Sequence, residues 1–176
     1  MNKLAIKNLS LIIIIMVLVL YRLLPHPFNV TPVMAMALFS GVYFTNRYAA
    51  LIIPLVAMFL SDWVLGFHNT MLFVYGAMLA AGFIGFVIRD KVTPIKVVLA
   101  SVSGSLLFFI VTNFGVWWAN DFYSKDLAGL SECYIMALPF FQRTLIGDLF
   151  FNGVLFISFW YYGKVFLSKY DMVANS

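Results

Sequence analysis

The run Leu4-Ala-Ile-Lys-Asn-Leu-Ser-Leu-Ile-Ile-Ile-Ile-Met-Val-Leu-Val-Leu-Tyr-Arg-Leu-Leu24 decides the fold class. It matches the ~20 apolar residues that a helix needs to cross a hydrocarbon core of ~30 Å. Lys3 and Lys7 precede its run of Leu, Ile and Val as basic residues precede the apolar core of a signal peptide, but Arg22-Leu-Leu-Pro-His-Pro27 follows instead of the small residues of a cleavage site. The stretch therefore reads as a retained span. Five more apolar stretches follow: Val30 to Phe44, Tyr48 to Gly66, Met71 to Ile88, Ile95 to Trp118 and Pro139 to Gly163. Together they predict an all-α integral membrane protein, a bundle of about six transmembrane helices forming a single domain over residues 1–176.

Composition agrees with that reading. Of 176 residues, 64% are hydrophobic and 10% charged, with a mean hydropathy of +0.99. A soluble domain carries roughly 25% charged residues, so an ordinary cytosolic enzyme, a disordered chain and a nucleic-acid binder are excluded. The net charge of +4 is what retention of basic cytoplasmic loops produces. With the N-terminus inside, the cytoplasmic segments hold Lys3, Lys7, Arg47, Arg89, Lys91, Lys96, Lys164 and Lys169, and the outer ones only Arg22 and Lys125. Both termini are thus expected on the cytoplasmic side of the inner membrane. The longest outer loop is expected at Ala119 to Leu138. Trp63, Trp117, Trp118 and Tyr123 fall at one boundary and Tyr43, Tyr48, Trp160, Tyr161 and Tyr162 at the other, as in paired aromatic belts.

Charged side chains inside spans carry the functional information, because each costs roughly 2.5–3.5 kcal/mol near the bilayer centre. Asp62, Arg143 and Asp148 are such residues. Asp62, Asn113 and Arg143 are expected at similar depth, with Asp148 deeper and able to hold Arg143 in place or to carry a proton. Thr144, Asp148 and Asn152 recur every four residues and share a helix face. Asn29 and Thr31 stand in a segment stiffened by Pro25, Pro27 and Pro32, able to form one wall of an outward-facing pocket. Trp117 and Tyr75 complete the candidate substrate-binding set as aromatic walls. Stripes of small residues, Gly76, Ala77, Ala80, Ala81 and Gly85, Ala37 and Gly41, and Ala100 and Gly104, predict close helix approach. The single cysteine, Cys133, and the isolated histidines, His26 and His68, offer no metal-ligand spacing. No cofactor is expected, and the motifs of zinc proteases, serine hydrolases and P-loop ATPases are absent.

The set Asn29-Val-Thr-Pro-Val33, Ser61-Asp-Trp-Val-Leu-Gly-Phe-His68, Thr112-Asn-Phe-Gly-Val-Trp117, Gly129-Leu-Ser-Glu-Cys-Tyr134 and Pro139-Phe-Phe with Gly147-Asp-Leu149 resembles an uncharacterised bacterial family of membrane transport proteins. More distantly the chain is similar to the S components of energy-coupling-factor vitamin transporters. Those are six-helix proteins that capture a small molecule from outside and dock on a transmembrane coupling subunit with ATPases. Their docking motif of small residues lies in the first span. Here its run Leu11-Ile-Ile-Ile-Ile-Met-Val-Leu-Val-Leu20 has none, so docking would fall to Ala35, Ala37 and Gly41.

The resemblance and the polar layer imply capture of a small polar or vitamin-like molecule, without turnover. Two alternatives remain open. One is a structural or assembly subunit whose charges lock the bundle. The other is a membrane enzyme using Asp148 or Asp62.

Overall fold

The computed structural model describes residues 3–167. Six α-helices follow one another: α1 (Lys3–Leu23), α2 (Val33–Tyr43), α3 (Arg47–Leu65), α4 (Met71–Ile88), α5 (Pro94–Ala119) and α6 (Leu127–Tyr162), the last running into a π-helical turn at Gly163–Leu167. No strand occurs among the described residues. Lys169, counted above as cytoplasmic, lies outside them. All helices but α2 are long and apolar enough to cross a membrane.

Local chemistry sets the helix ends. The Asn46 side chain accepts from the backbone N–H groups of Tyr48 and Ala49 at 2.8 and 3.2 Å, starting α3. Thr93 caps α5, whose first residue is Pro94, a position where the missing N–H costs nothing. Asp126 caps α6 by accepting from Gly129 N–H at 2.8 Å. Gly66 ends α3 at φ 99°, a backbone conformation open to glycine without a Cβ clash.

Two sequence expectations are corrected here. The stretch 30–44 is not a sixth long helix. α2 has 11 residues, so it rises only ~17 Å, short of the ~30 Å core. Every one of its residues from Val33 to Val42 is buried, enclosed by α3, α4, α5 and α6. Its small residues therefore serve inward packing. A Cβ on Gly41 would overlap the Gly82 carbonyl oxygen, and one on Gly85 would sit 2.6 Å from the Leu38 carbonyl oxygen. Ala35 and Ala37 are likewise buried, so these residues offer no docking face.

The second correction concerns α6, which begins at Leu127 rather than near Pro139. Only residues 120–126 separate it from α5. Pro139 lies inside the helix; it withholds an N–H from the Ile135 carbonyl without ending the helix. With 36 residues, α6 is ~54 Å long.

α1 ends, α2 begins, α3 ends, α4 begins, α5 ends and α6 begins at one end of the bundle, here the Arg22 end. The opposite, Arg89 end gathers Arg47, Arg89, Lys91 and Lys96. Arg89 Nη2 donates to the Phe44 carbonyl at the close of α2, at 2.6 Å, where a cation complements the helix dipole. Arg47 and Arg89 both lie over the Phe86 ring, at 5.8 and 5.6 Å.

Candidate functional site

The predicted site residues separate into three groups. The first is an ionic cluster at the Arg22 end. Asp62 is fully buried, and Arg22 Nη2 approaches its Oδ1 at 2.6 Å, a close ion contact rather than an aligned hydrogen bond. Tyr75 donates to Asp62 Oδ2 at 2.7 Å. Arg22 Nη1 donates to the Ser61 hydroxyl, which itself donates to the Met58 carbonyl at 2.8 Å. The cluster ties α1, α3 and α4 together. Asp62 and Tyr75 thus meet directly, and Arg22, expected in an outer loop, is the cation beside Asp62. Arg22 sits one residue inside the end of α1, where an apolar run hides a terminal charge turned inward.

The second group lines a cavity of about 260 Å³ at the same end, between α5, α6 and the turn before α2. Its polar lining is Asn29, Thr112, Asn113 and Thr144, and its walls include Phe28, Phe109, Phe140 and Phe141. Asn29 adopts φ 61°, a conformation that asparagine tolerates better than most residues. It follows Phe28 in a turn closed by Val30 N–H on the Pro27 carbonyl at 3.1 Å. Val30 rests against Gly147, where a Cβ would lie 3.2 Å from its Cγ1. Phe28 packs edge-on to Phe140 at 5.8 Å. The proline-stiffened segment does form one wall of a pocket. Thr31 is half-buried beside it.

The hydrogen bonds of this cavity set its chemistry. Thr112, Asn113 and Thr144 each donate to a carbonyl one turn earlier, on Phe108, Phe109 and Phe140, at 2.7, 2.8 and 3.1 Å. Both threonine hydroxyl protons and one Asn113 N–H engage the helix backbone, while the side-chain oxygens retain lone pairs and the second Asn113 N–H remains a donor. No ionisable side chain is in the lining.

The third group lies mid-bundle. Ser105 donates to Asp148 Oδ2 at 2.6 Å. Asp148 does not hold Arg143, which is exposed and forms no ion pair among the described residues. Positions 143 and 148 are five apart, so they point ~140° away from each other around the helix. Nor does Trp117 form a pocket wall. It donates from Nε1 to the Ser124 carbonyl at 2.8 Å, and Lys125 lies 5.8 Å from its ring. Lys125 also donates to the terminal carbonyls of Trp117, Trp118 and Asn120, closing the end of α5. The layer expected from Asp62, Asn113 and Arg143 is therefore not a single site.

This chain of helices, one of them short and buried and the other five long and apolar enough to cross a membrane, is of the all-α class among the described residues. The chain belongs to DUF6580, a family of unknown function, which it matches over residues 2–170. No curated protein and no solved structure matches it.

Proposed function

We propose that the protein is a multi-pass membrane protein that captures a small, uncharged polar molecule in the cavity between α5, α6 and the Phe28–Asn29 turn. The observation that carries this reading is the cavity's lining: side-chain oxygens of Thr112, Asn113 and Thr144 inside an aromatic frame, with both threonine hydroxyl protons and one Asn113 N–H already engaged. Such a surface, with acceptor oxygens and the amide N–H groups of Asn29 and Asn113, selects a neutral ligand that both donates and accepts hydrogen bonds and is flat enough to lie against phenyl rings. The absence of a charged group from the lining argues for a neutral ligand.

Insertion in a membrane, in this reading the cytoplasmic one, is supported as insertion by the apolar exterior. Leu72, Val87, Val64 and Ile157 are 69–82% exposed, and a soluble protein rarely leaves so much apolar surface uncovered. The basic Arg89 end would face the cytoplasm and the Arg22 end, with its cavity, the outside. A docked coupling subunit with ATPases rests on the family resemblance alone once α2 is enclosed.

Native mass spectrometry of gently extracted protein tests the capture reading, with wild type beside Asn113→Leu and Thr144→Val. A small molecule retained by wild type and lost from both variants supports it and identifies the ligand class. Equal occupancy in all three, or none in any at saturating cell extract, refutes it. Binding without turnover separates capture from the enzyme reading, in which Asp148→Asn would abolish product formation.

A further inference from the structure

α5 and α6 share a long seam, and it carries two cavities. The one toward the Arg22 end uses Phe108 to Asn113 of α5 and Ala137 to Thr144 of α6. The other, about 510 Å³, lies toward the Arg89 end. It uses α5 up to Ser101 and α6 from Leu149 onward, with Asn152, Phe156 and Trp160. Ser105 and Asp148 line neither and fall in the interval between them, joined by their 2.6 Å hydrogen bond.

This interval holds an excess of acceptors. Asp148 Oδ1 has no partner in a side chain 1% exposed, and Asn152 Oδ1 has none in one 2% exposed. The two residues are one helical turn apart on the same face, so their side chains are neighbours. An ionised carboxylate buried without a countercharge is strongly unfavourable, and the neighbouring elements supply none. α2 contains no Lys, Arg, Asp or Glu, and its Tyr43 lines the larger cavity. α5 contributes only Lys96, in its first turn. On α1, Arg22 is engaged by Asp62, Lys3 and Lys7 lie at the opposite end, and Tyr21 packs on the Phe151 ring. On α6, Arg143 points away, Tyr162 meets Ser10, and beyond it Lys164 lies over the Trp160 ring.

We propose that Asp148, Asn152 and Ser105 form a binding site for a small monovalent cation, H⁺ or Na⁺, at the barrier between the two cavities. Either ion balances the carboxylate. A proton on Asp148 Oδ1 creates a donor for Asn152 Oδ1, so one species satisfies both orphaned oxygens. A Na⁺ ion would take the same two oxygens with the Ser105 hydroxyl, the hard oxygen donors such a cation prefers. Asn152 and Ser101 line the larger cavity, which gives the ion a polar approach from the Arg89 end. The inference rests on the capture reading only in treating the two cavities as one pathway. Ion binding is measured without the captured molecule, so either reading can fail alone.

The test uses the full chain in detergent, with difference infrared spectroscopy from pH 5 to pH 9 in choline chloride and again in NaCl, alongside thermal unfolding. Wild type should show a buried carboxylic-acid band that Asp148→Asn lacks. If the ion is H⁺, the band follows pH and ignores NaCl. If it is Na⁺, NaCl removes the band at fixed pH and raises the unfolding temperature of wild type but not of Asp148→Asn. Asn152→Ala and Ser105→Ala keep the carboxylate and should shift the response about tenfold in ion concentration, since each removes a hydrogen bond to the ion or the carboxyl group. They also keep the test decisive should Asp148→Asn not fold. A carboxyl signal unmoved by pH and by NaCl in wild type overturns the proposal, as does a response that is identical in all folded variants.

Discussion

Arg22 and Asp62 stand at the ends of α1 and α3 with nitrogen and oxygen 2.6 Å apart, the arginine side chain 15% exposed and the aspartate 0%. Removing one partner strands the other. Arg22→Met should therefore destabilise the protein by about 3–5 kcal/mol, the usual cost of an uncompensated buried charge. The double variant Arg22→Met, Asp62→Leu should recover most of that loss, because a buried ion pair is often no more stable than an apolar replacement. Thermal unfolding of the two forms in detergent checks both statements. A double variant as unstable as the single one would show that Ser61 and Tyr75 depend on the pair.

The α2–α4 crossing has no room for a methyl group. Gly41→Ala meets the Gly82 carbonyl oxygen, and Gly85→Ala meets the Leu38 carbonyl oxygen; backbone cannot swing aside as a side chain can. Each should cost about 1–3 kcal/mol through overpacking. Gly76→Ala meets nothing within 4 Å and should stabilise α4 by about 0.5–1 kcal/mol. Unfolding temperatures of the three variants should fall, fall and rise.

Acid should loosen the start of α6. The Gly129 backbone N–H and the Ser124 hydroxyl hold the Asp126 carboxyl below its ordinary value. A folded pKa below the unfolded one means that the cap's contribution is fully present above the unfolded value of ~3.9. It is lost as pH falls through the folded value. Amide protection factors at Gly129 and Leu130, relative to the intrinsic exchange rate at each pH, should therefore fall below about pH 4. Asp126→Asn should keep a cap, as asparagine caps well, and lose that pH dependence. A loss of protection that persists unchanged in Asp126→Asn would assign it to another group.

The proposed orientation is open to labelling in intact cells. In a Cys133→Ala background, Lys125→Cys should react with a membrane-impermeant maleimide from outside. Lys91→Cys should react only after permeabilisation. The reverse pattern would invert the topology and turn the smaller cavity toward the cytoplasm.

How far the residues alone reach is visible in particular elements. α3, α4 and α5 begin and end within a residue of their apolar stretches, because caps at Asn46 and Thr93 and the glycine at Gly66 are local signals. Asn29, Asn113 and Thr144 share a cavity, and the spacing of Thr144, Asp148 and Asn152 on one face was readable. Arg22 was missed, since nothing local distinguishes a terminal arginine turned inward from one left in a loop. Pro139 misled in the other direction: it is a start signal in many helices, yet here α6 passes through it.

Hydropathy, capping and helical period act over one or two turns, and they suffice to make this chain a set of apolar helices with a few polar side chains in them. Which polar groups meet is settled by packing in three dimensions. Asp62 found Arg22 rather than Arg143, and Asp148 found Ser105. Those pairings depend on the rotation of each helix about its axis and on the enclosure of α2. Packing against neighbours sets both, and no short stretch of chain encodes them.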